Sequence, residues 1–225
     1  DIDFTRDADD IRLVDLNNDH LVDVVRTTGT RMEHWINLSR CGVDFDGRFG
    51  TPMIDAFGNC VGAEEDSSGR DKPISTCVLH RGLPMQFSNG DTRLADMNGD
   101  GLGDIVATSY AYVQVFLARE PRTFEEPEVL SLGRRSLFPI LADLDGNGFA
   151  DITLTSGKSV TVIRNGGPEG YAEPATYEVG FQLLGHDFAD FDRDGVLDLM
   201  AFGPLEAVVF RGNPDLQSGS LFRRG

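Results

Sequence analysis

The chain has 225 residues, a formal net charge of −17 at pH 7 and a hydrophobic content of 40%. The length allows one large domain or two small ones, and the hydrophobic content is enough for a packed core. So acidic a chain without a Lys/Arg cluster is a poor nucleic-acid binder, and no apolar run approaches the ~18 residues of a membrane span.

Short apolar runs alternate along the chain with four acidic loops of nine residues each. The loops occupy residues 15–23, 96–104, 143–151 and 190–198. Apolar or β-branched residues enter and leave every loop, such as residues 13–14 and 24–25 around the first one. Short runs of this kind, bounded by Gly and Asp, are typical of strands. The sequence therefore predicts a β-strand on either side of each loop.

Oxygen-bearing side chains occur at loop positions 1, 3, 5 and 9 in all four copies. That spacing suits a calcium ion, with the main-chain carbonyl of position 7 as a fifth ligand, so we predict about four bound Ca²⁺ ions. The predicted metal ligands are Asp15, Asn17, Asp19, Leu21 and Asp23; Asp96, Asn98, Asp100, Leu102 and Asp104; Asp143, Asp145, Asn147, Phe149 and Asp151; and Asp190, Asp192, Asp194, Val196 and Asp198. These loops supply 13 carboxylates, so most of the net acidity is expected to be metal-site acidity.

The loops differ from EF-hands. An EF-hand needs a bidentate Glu at position 12 between two helices. Position 12 here is Arg26, Ala107, Leu154 and Ala201 in the four copies. Gly occupies position 6 in three copies, where the chain reverses and a positive φ is expected, whereas the first copy has His20. We therefore predict calcium-filled turns between strands, with the first loop the weakest.

The spacing of the loops indicates a repeat. Successive first aspartates are separated by 81, 47 and 47 residues. A period in the forties with several short strands per unit is typical of propeller blades or a related array. The predicted fold class is all-β, with four recognisable four-stranded blades in one domain over residues 1–225. Three arrangements remain open: a fragment of a larger propeller, a small closed form, or an arc completed by another chain.

The long first step places an insertion at about residues 41–89. This stretch is rich in Gly, Ser, Asp and Glu and is predicted to contain a long surface loop, with a degenerate extra blade as the alternative. Cys41, Cys60 and Cys77 lie in or beside it, and one disulfide with three possible pairings is expected. A disulfide would place the protein in an oxidising compartment. Because long loops on rigid scaffolds carry recognition, this loop is also the predicted surface for a protein or carbohydrate partner.

The motif D-x-[DN]-x-[DN]-G-x-x-D between strands, with Phe-Gly-x-Pro at residues 49–52, resembles the FG-GAP/VCBS repeat. Repeats of this family form the blades of integrin-α-like β-propellers and bind calcium in these loops, and the family usually closes seven blades. The strings RLADMNGDGLGDIVAT and GRFGTP are similar, more narrowly, to the propeller region of SpvB/TcB-type bacterial toxin components. The resemblance implies a propeller of which this chain supplies four blades.

Composition and motifs favour a function without catalysis. Nearly every conspicuous Asp belongs to a loop, and neither a nucleophile elbow nor a phosphate-binding G-x-x-x-x-G-K is present. We predict a calcium-stabilised extracellular β-propeller that acts as a macromolecular binding or structural module. Two alternatives stay open: a propeller or shell segment of a bacterial toxin-complex B component, and an accessory module of a polysaccharide-active surface enzyme.

Overall fold

A computed structural model describes the chain except for residues 1–9, 17, 19, 29–30, 39–48, 51, 55, 57–59, 66, 68–73, 79–86, 110, 121–122, 214–219 and 225. Strands make up nearly all the regular structure of the described residues. The other regular elements described are two short 3-10 turns, Phe87–Asn89 and Gly167–Glu169.

Four antiparallel sheets follow one another along the chain, and we number them blades 1 to 4. Blade 1 has the order β1 (Ile11–Val14), β2 (Asp23–Thr28), β3 (Arg31–Asn37) and β4 (Phe49–Gly50), and β7 (Ile74–Val78) also pairs with β3. Blade 2 contains β8 (Thr92–Ala95), β9 (Asp104–Ser109), β10 (Tyr112–Phe116) and β13 (Glu128–Ser131). Blade 3 contains β14 (Leu137–Ala142), β15 (Asp151–Ser156), β16 (Ser159–Ile163) and β17 (Ala175–Glu178). Blade 4 contains β18 (Gly185–Ala189), β19 (Asp198–Phe202), β20 (Ala207–Gly212) and β21 (Phe222–Arg224).

The prediction of an all-β chain with four blades is confirmed. In every blade the acidic loop joins the first strand to the second, as the flanking apolar runs predict. Two hairpins lie outside the blades: β5 (Pro52–Ile54) with β6 (Cys60–Ala63), and β11 (Ala118–Glu120) with β12 (Thr123–Phe124).

Blade 3 illustrates why these sequences form strands. Neighbouring side chains of a strand point to opposite faces, so Ile152 and Leu154 of β15 share one face and Thr153 and Thr155 share the other. All four are buried. The hydroxyl groups of Thr153 and Thr155 donate hydrogen bonds of 3.0 and 3.2 Å to main-chain carbonyls of β14, which satisfies them inside the blade.

The chain forms two compact units with separate cores. One comprises residues 1–94, 100–107 and 115–128, and the other comprises 95–99, 108–114 and 129–225. The core of the first unit consists of Leu16, Val25, Met32, Phe87, Ile105, Ala107 and Phe116, with a second cluster of Ile11, Val24 and Trp35. The core of the second unit is built around Leu144, Val160, Val162, Leu199, Phe210 and Phe222.

The segment at residues 41–89 is not loop throughout. It contributes β4 and β7 to blade 1, and β7 pairs with β3 from Arg31↔Val78 to His34↔Ile74. Cys41 lies outside the described residues, and only the backbone of Cys60 and Cys77 is described, in β6 and β7. The disulfide therefore stays a prediction.

Candidate metal centres

The aspartate at loop position 9 is buried in all four blades, with 1% or less of its surface exposed. In blade 4, the Oδ2 of Asp198 accepts a 3.0 Å hydrogen bond from the main-chain N–H of Phe191 at position 2, and its Oδ1 accepts one of 2.7 Å from Gly212. Asp151 makes the equivalent bonds with Leu144 and Asn165 at 2.9 and 2.7 Å. The side chain therefore ties the start of its loop to the end of the third strand.

Blade 1 repeats this arrangement, and blade 2 has the bond to a residue that follows its third strand. Asp23 accepts hydrogen bonds from the N–H groups of Leu16 and Asn37 at 2.9 and 2.7 Å. Asp104 accepts one from Ala118 at 2.7 Å. The second donor stands 14 residues after the aspartate in every blade. We call the main-chain hydrogen bonds accepted by the position-9 aspartate the clamp. The sequence predicts only a metal ligand at position 9, because main-chain N–H donors leave no signature in the side-chain sequence.

The aspartate at position 1 organises the loop from the other end. The two carboxylate oxygens of Asp143 accept hydrogen bonds from Gly146 N at 2.8 Å and Gly148 N at 2.9 Å. Asp190 accepts from Asp194 N at 3.1 Å and Gly195 N at 2.9 Å. The carboxylate thus sits inside its own turn, with main-chain donors on both oxygens.

Position 5 makes one bond of the same kind. Asp100, Asn147 and Asp194 each accept a hydrogen bond of 2.8 to 2.9 Å from the N–H of position 7. This bond fixes the orientation of position 7, whose carbonyl oxygen stays the predicted metal ligand.

The backbone of each loop has a positive φ at positions 4 and 6. The predicted positive φ at position 6 is confirmed, including His20 at 66°. Position 4 was not foreseen and is Asn18 in loop 1 and Arg193 in loop 4, with φ of 55° and 63°. The left-handed region costs a non-Gly residue roughly 1–2 kcal/mol. Loop 1 carries two such residues and is the most strained of the four.

The carboxylates of loops 3 and 4 converge. Oxygen atoms of Asp143, Asp145 and Asp151 lie within 4.8 Å of one another, and so do those of Asp190, Asp192 and Asp194. Burial, together with the nearby Asp145 and Asp143, raises the pKa of Asp151 to about 6, although the hydrogen bonds from the main-chain N–H groups of Asn165 and Leu144 oppose the shift. A hard divalent cation would relieve this crowding of oxygen atoms, so the donor set fits calcium.

The structure shows no such convergence for the predicted ligands that it describes in loops 1 and 2. Asn17 and Asp19 of loop 1 lie outside the described residues. In loop 2, Asp96 and Asp100 are exposed, whereas Asp104 is buried. In loop 4, Asp192 also forms an ion pair with Arg211 of β20, a cation that sequence reasoning did not place near this loop.

Position 2 of each loop is apolar, and in loops 1 to 3 it meets the next blade. The carbonyl of Leu16 accepts a hydrogen bond from Gly103 N at 3.4 Å, and that of Met97 accepts one from Asn165 Nδ2 at 2.7 Å. Leu144 joins the core cluster that contains Leu199 of blade 4. These three position-2 residues are 5%, 1% and 5% exposed. Phe191, at position 2 of loop 4, is 50% exposed.

The four antiparallel sheets share one loop geometry between their first and second strands. Sheets of this kind are the blades of a β-propeller. Residues 96–154 and 143–201 match the FG-GAP-like repeat family, so this part of the chain is built from FG-GAP-like repeats, as the loop motif predicted.

Solved structures share this fold. The chain is similar to part of the Tc holotoxin pore of Photorhabdus luminescens, with 21% identity, a TM-score of 0.55, and coverage of 92% of this chain and 9% of that one. It is similar to an Agrocybe aegerita lectin that recognises non-reducing terminal N-acetylglucosamine, with 22% identity, a TM-score of 0.55, and coverage of 90% and 48%. The chain therefore spans less than half the length of either protein.

No curated protein sequence matches the chain. Among the described residues, none of the helices has the length and apolar character needed to span a membrane.

Proposed function

We propose that the protein is a calcium-stabilised, non-enzymatic β-propeller segment that works in a larger extracellular assembly, where it binds or encloses another macromolecule. The metal part of the proposal is supported by the two carboxylate clusters of loops 3 and 4. Calcium would hold each loop closed against the repulsion of its own aspartates. Similarity to part of a Tc holotoxin pore supports the narrower possibility of a toxin-complex shell segment.

The exposed Phe191 carries the assembly part of the proposal. Its three counterparts are buried, and each one meets the blade that follows it in the chain. Burying an aromatic side chain of this size is worth roughly 1.5–3 kcal/mol, so a half-exposed Phe at a position that is otherwise covered indicates a missing neighbour. Leu184, in the turn before β18, is 58% exposed on the same blade. We infer that another blade of the same type covers Phe191.

Site-specific photo-crosslinking tests this proposal. The photoreactive residue p-benzoylphenylalanine is placed at position 191 and, as a control, at Leu205, which is 96% exposed but lies in the turn between β19 and β20. Adducts are identified by peptide mass spectrometry after expression in the natural host. We expect the adduct at position 191 to contain a D-x-[DN]-x-[DN]-G loop peptide. Crosslinking at 191 that is no stronger than at 205 would contradict the proposal.

The calcium part has its own test, titration calorimetry of the metal-free chain. We expect saturable binding at two or more sites, weakened by Asp145→Asn. Absence of calcium binding would remove calcium from the proposal without affecting the inference drawn from Phe191.

A further inference from the structure

Arg211 of β20 forms an ion pair with Asp192, the aspartate at position 3 of loop 4. The side chain of Asp192 is 28% exposed and that of Arg211 is 50% exposed. One oxygen atom of Asp192 lies within 4.8 Å of an oxygen of Asp190 and of an oxygen of Asp194. The guanidinium group therefore binds a carboxylate that belongs to the predicted metal site.

The fold of blade 4 keeps Arg211 beside this loop. Arg211 directly precedes Gly212, whose main-chain N–H donates the 2.7 Å clamp bond to Oδ1 of Asp198. The clamp thus holds the main chain of β20 against the base of loop 4. Arg223, which is exposed, lies opposite Arg211 in β21, and like charges at opposite positions of an antiparallel pair repel each other. This repulsion favours a guanidinium group that turns toward Asp192.

The four repeats combine an arginine at this place with an aspartate at position 3. Counted from the first aspartate of its loop, Arg211 occupies position 22. The same position is Arg164 in blade 3, Leu117 in blade 2 and Ile36 in blade 1. Position 3 is Asp in loops 3 and 4 and Asn in loops 1 and 2. Arg164 and Asp145, at position 3 of loop 3, line one cavity of about 270 Å³. An arginine at position 22 therefore accompanies the carboxylate at position 3 in both blades that have one.

We propose that Arg211 is a built-in counter-ion that competes with calcium for Asp192 and lowers the calcium affinity of loop 4. This role rests on the calcium binding proposed above. A guanidinium group and a calcium ion both bind carboxylate oxygens, and two cations at one carboxylate repel each other. Loop 4 has Asp at positions 1, 3, 5 and 9, a set of charges that by itself favours tight binding. With Arg211 in place, the loop fills at a higher calcium concentration than these four carboxylates would otherwise require.

NMR titration of the full chain with calcium is the test, because the glycine at position 6 gives loops 2, 3 and 4 one reporter each. These reporters are Gly101, Gly148 and Gly195. The N–H groups of Gly148 and Gly195 donate 2.9 Å hydrogen bonds to the first aspartate of their own loops. We expect Arg211→Gln to lower the calcium concentration at which the Gly195 signal is half shifted by about tenfold, because a unit positive charge a few ångströms from a divalent ion weakens its binding by about this factor. The Gly148 signal should respond less, because salt screens the charge of Arg211 with distance.

Arg193→Gln is the matched control, since it removes one positive charge from loop 4 itself and Arg193 is exposed at position 4. We expect it to change the half-shift concentration of Gly195 by less than about threefold, because water and salt screen an exposed charge. A double-mutant cycle isolates the ion pair. In an Asp192→Asn background, Arg211→Gln should also have an effect of less than about threefold, because the carboxylate that holds the guanidinium group is gone. Loop 3 lines a cavity of about 260 Å³ together with Gly195, and its charges are the same in all these proteins.

Three results would overturn the proposed role of Arg211. If Arg211→Gln leaves the half-shift concentration of Gly195 unchanged or raises it while Gly148 still responds to calcium, Arg211 does not compete with the metal, and the proposed calcium sites stand without it. Equal effects of Arg193→Gln and Arg211→Gln would show that the total charge of the loop sets the affinity, and not the ion pair. Absence of a calcium response at all three glycines would overturn this role together with the calcium part of the proposed function.

Discussion

Replacing Asp198 with Asn should destabilise blade 4 even when no metal is bound. Asp198 is buried and accepts the N–H groups of Phe191 and Gly212 at 3.0 and 2.7 Å, one on each oxygen. An Asn side chain offers a single acceptor oxygen, so one buried main-chain N–H would lose its partner. Hydrogen bonds to a charged group contribute about 1.5–3 kcal/mol, so we expect a loss of roughly 2 kcal/mol in the free energy of unfolding.

Hydrogen exchange in the presence of EDTA is the assay, because it reports each blade separately and excludes metal binding. The amides of residues 191 and 212 should exchange faster in Asp198→Asn, by about 30-fold for 2 kcal/mol. Asp192→Asn is the matched control: Asp192 pairs with the half-exposed Arg211, and exposed substitutions usually change stability by less than about 0.5 kcal/mol. If Asp198→Asn has an effect only when calcium is present, the residue is a metal ligand and the clamp is unimportant.

Three further predictions concern the loops and the buried His186 of blade 4. Burial lowers the pKa of His186 to about 4 in the folded protein. The unfolded protein therefore takes up this proton at a higher pH than the folded protein does. Up to about 3 kcal/mol of the free energy of unfolding should be lost as the pH falls from about 6.5 to about 4. Urea unfolding of His186→Gln in EDTA should show a shallower pH dependence over this range. Asp151 should have the opposite effect when no metal is bound, because its pKa is raised to about 6 in the folded protein. The folded protein then holds a proton that the unfolded protein has lost, so the free energy of unfolding should fall as the pH rises from about 4 to about 6. Excess calcium should reverse this trend, because the metal binds the ionised form, and Asp151→Asn should abolish it under both conditions. Finally, His20→Gly should raise the thermal midpoint, because it removes a strained φ that costs roughly 1 kcal/mol. Gly195→Ala should lower the midpoint by a similar amount, because Gly195 has a φ of 88° and open space around an added Cβ. Equal midpoints for the two variants and the unchanged protein would show that backbone strain does not set the stability of these loops.

The sequence allowed the blades and the loops to be predicted because both depend on local patterns. Ligand spacing within nine residues and apolar runs around each loop are visible without long-range information. The contacts that join distant residues were missed, such as Asn165 Nδ2 donating to the carbonyl of Met97. The acceptor in this contact is a main-chain carbonyl, which leaves no preference for side-chain type at position 97, so the partner of Asn165 cannot be read from the sequence. The pairing of β7 with β3 was also missed, because a segment rich in Gly and Ser resembles a loop in composition.

The geometry of the loops also explains which positions tolerate amides. Positions 1 and 9 are Asp in all four copies, whereas positions 3 and 5 mix Asp with Asn. In loop 3 the carboxylates of Asp143 and Asp151 each accept main-chain N–H groups on both oxygens, which an amide cannot do. Asn147 at position 5 accepts a single N–H, which its one carbonyl oxygen satisfies as well as a carboxylate would. The aspartates at positions 1 and 9 are therefore required by the folded backbone before any metal is considered. The number of Asp residues at positions 3 and 5 is left to set the charge of each loop, and we expect this charge to set the affinity for the calcium that we propose.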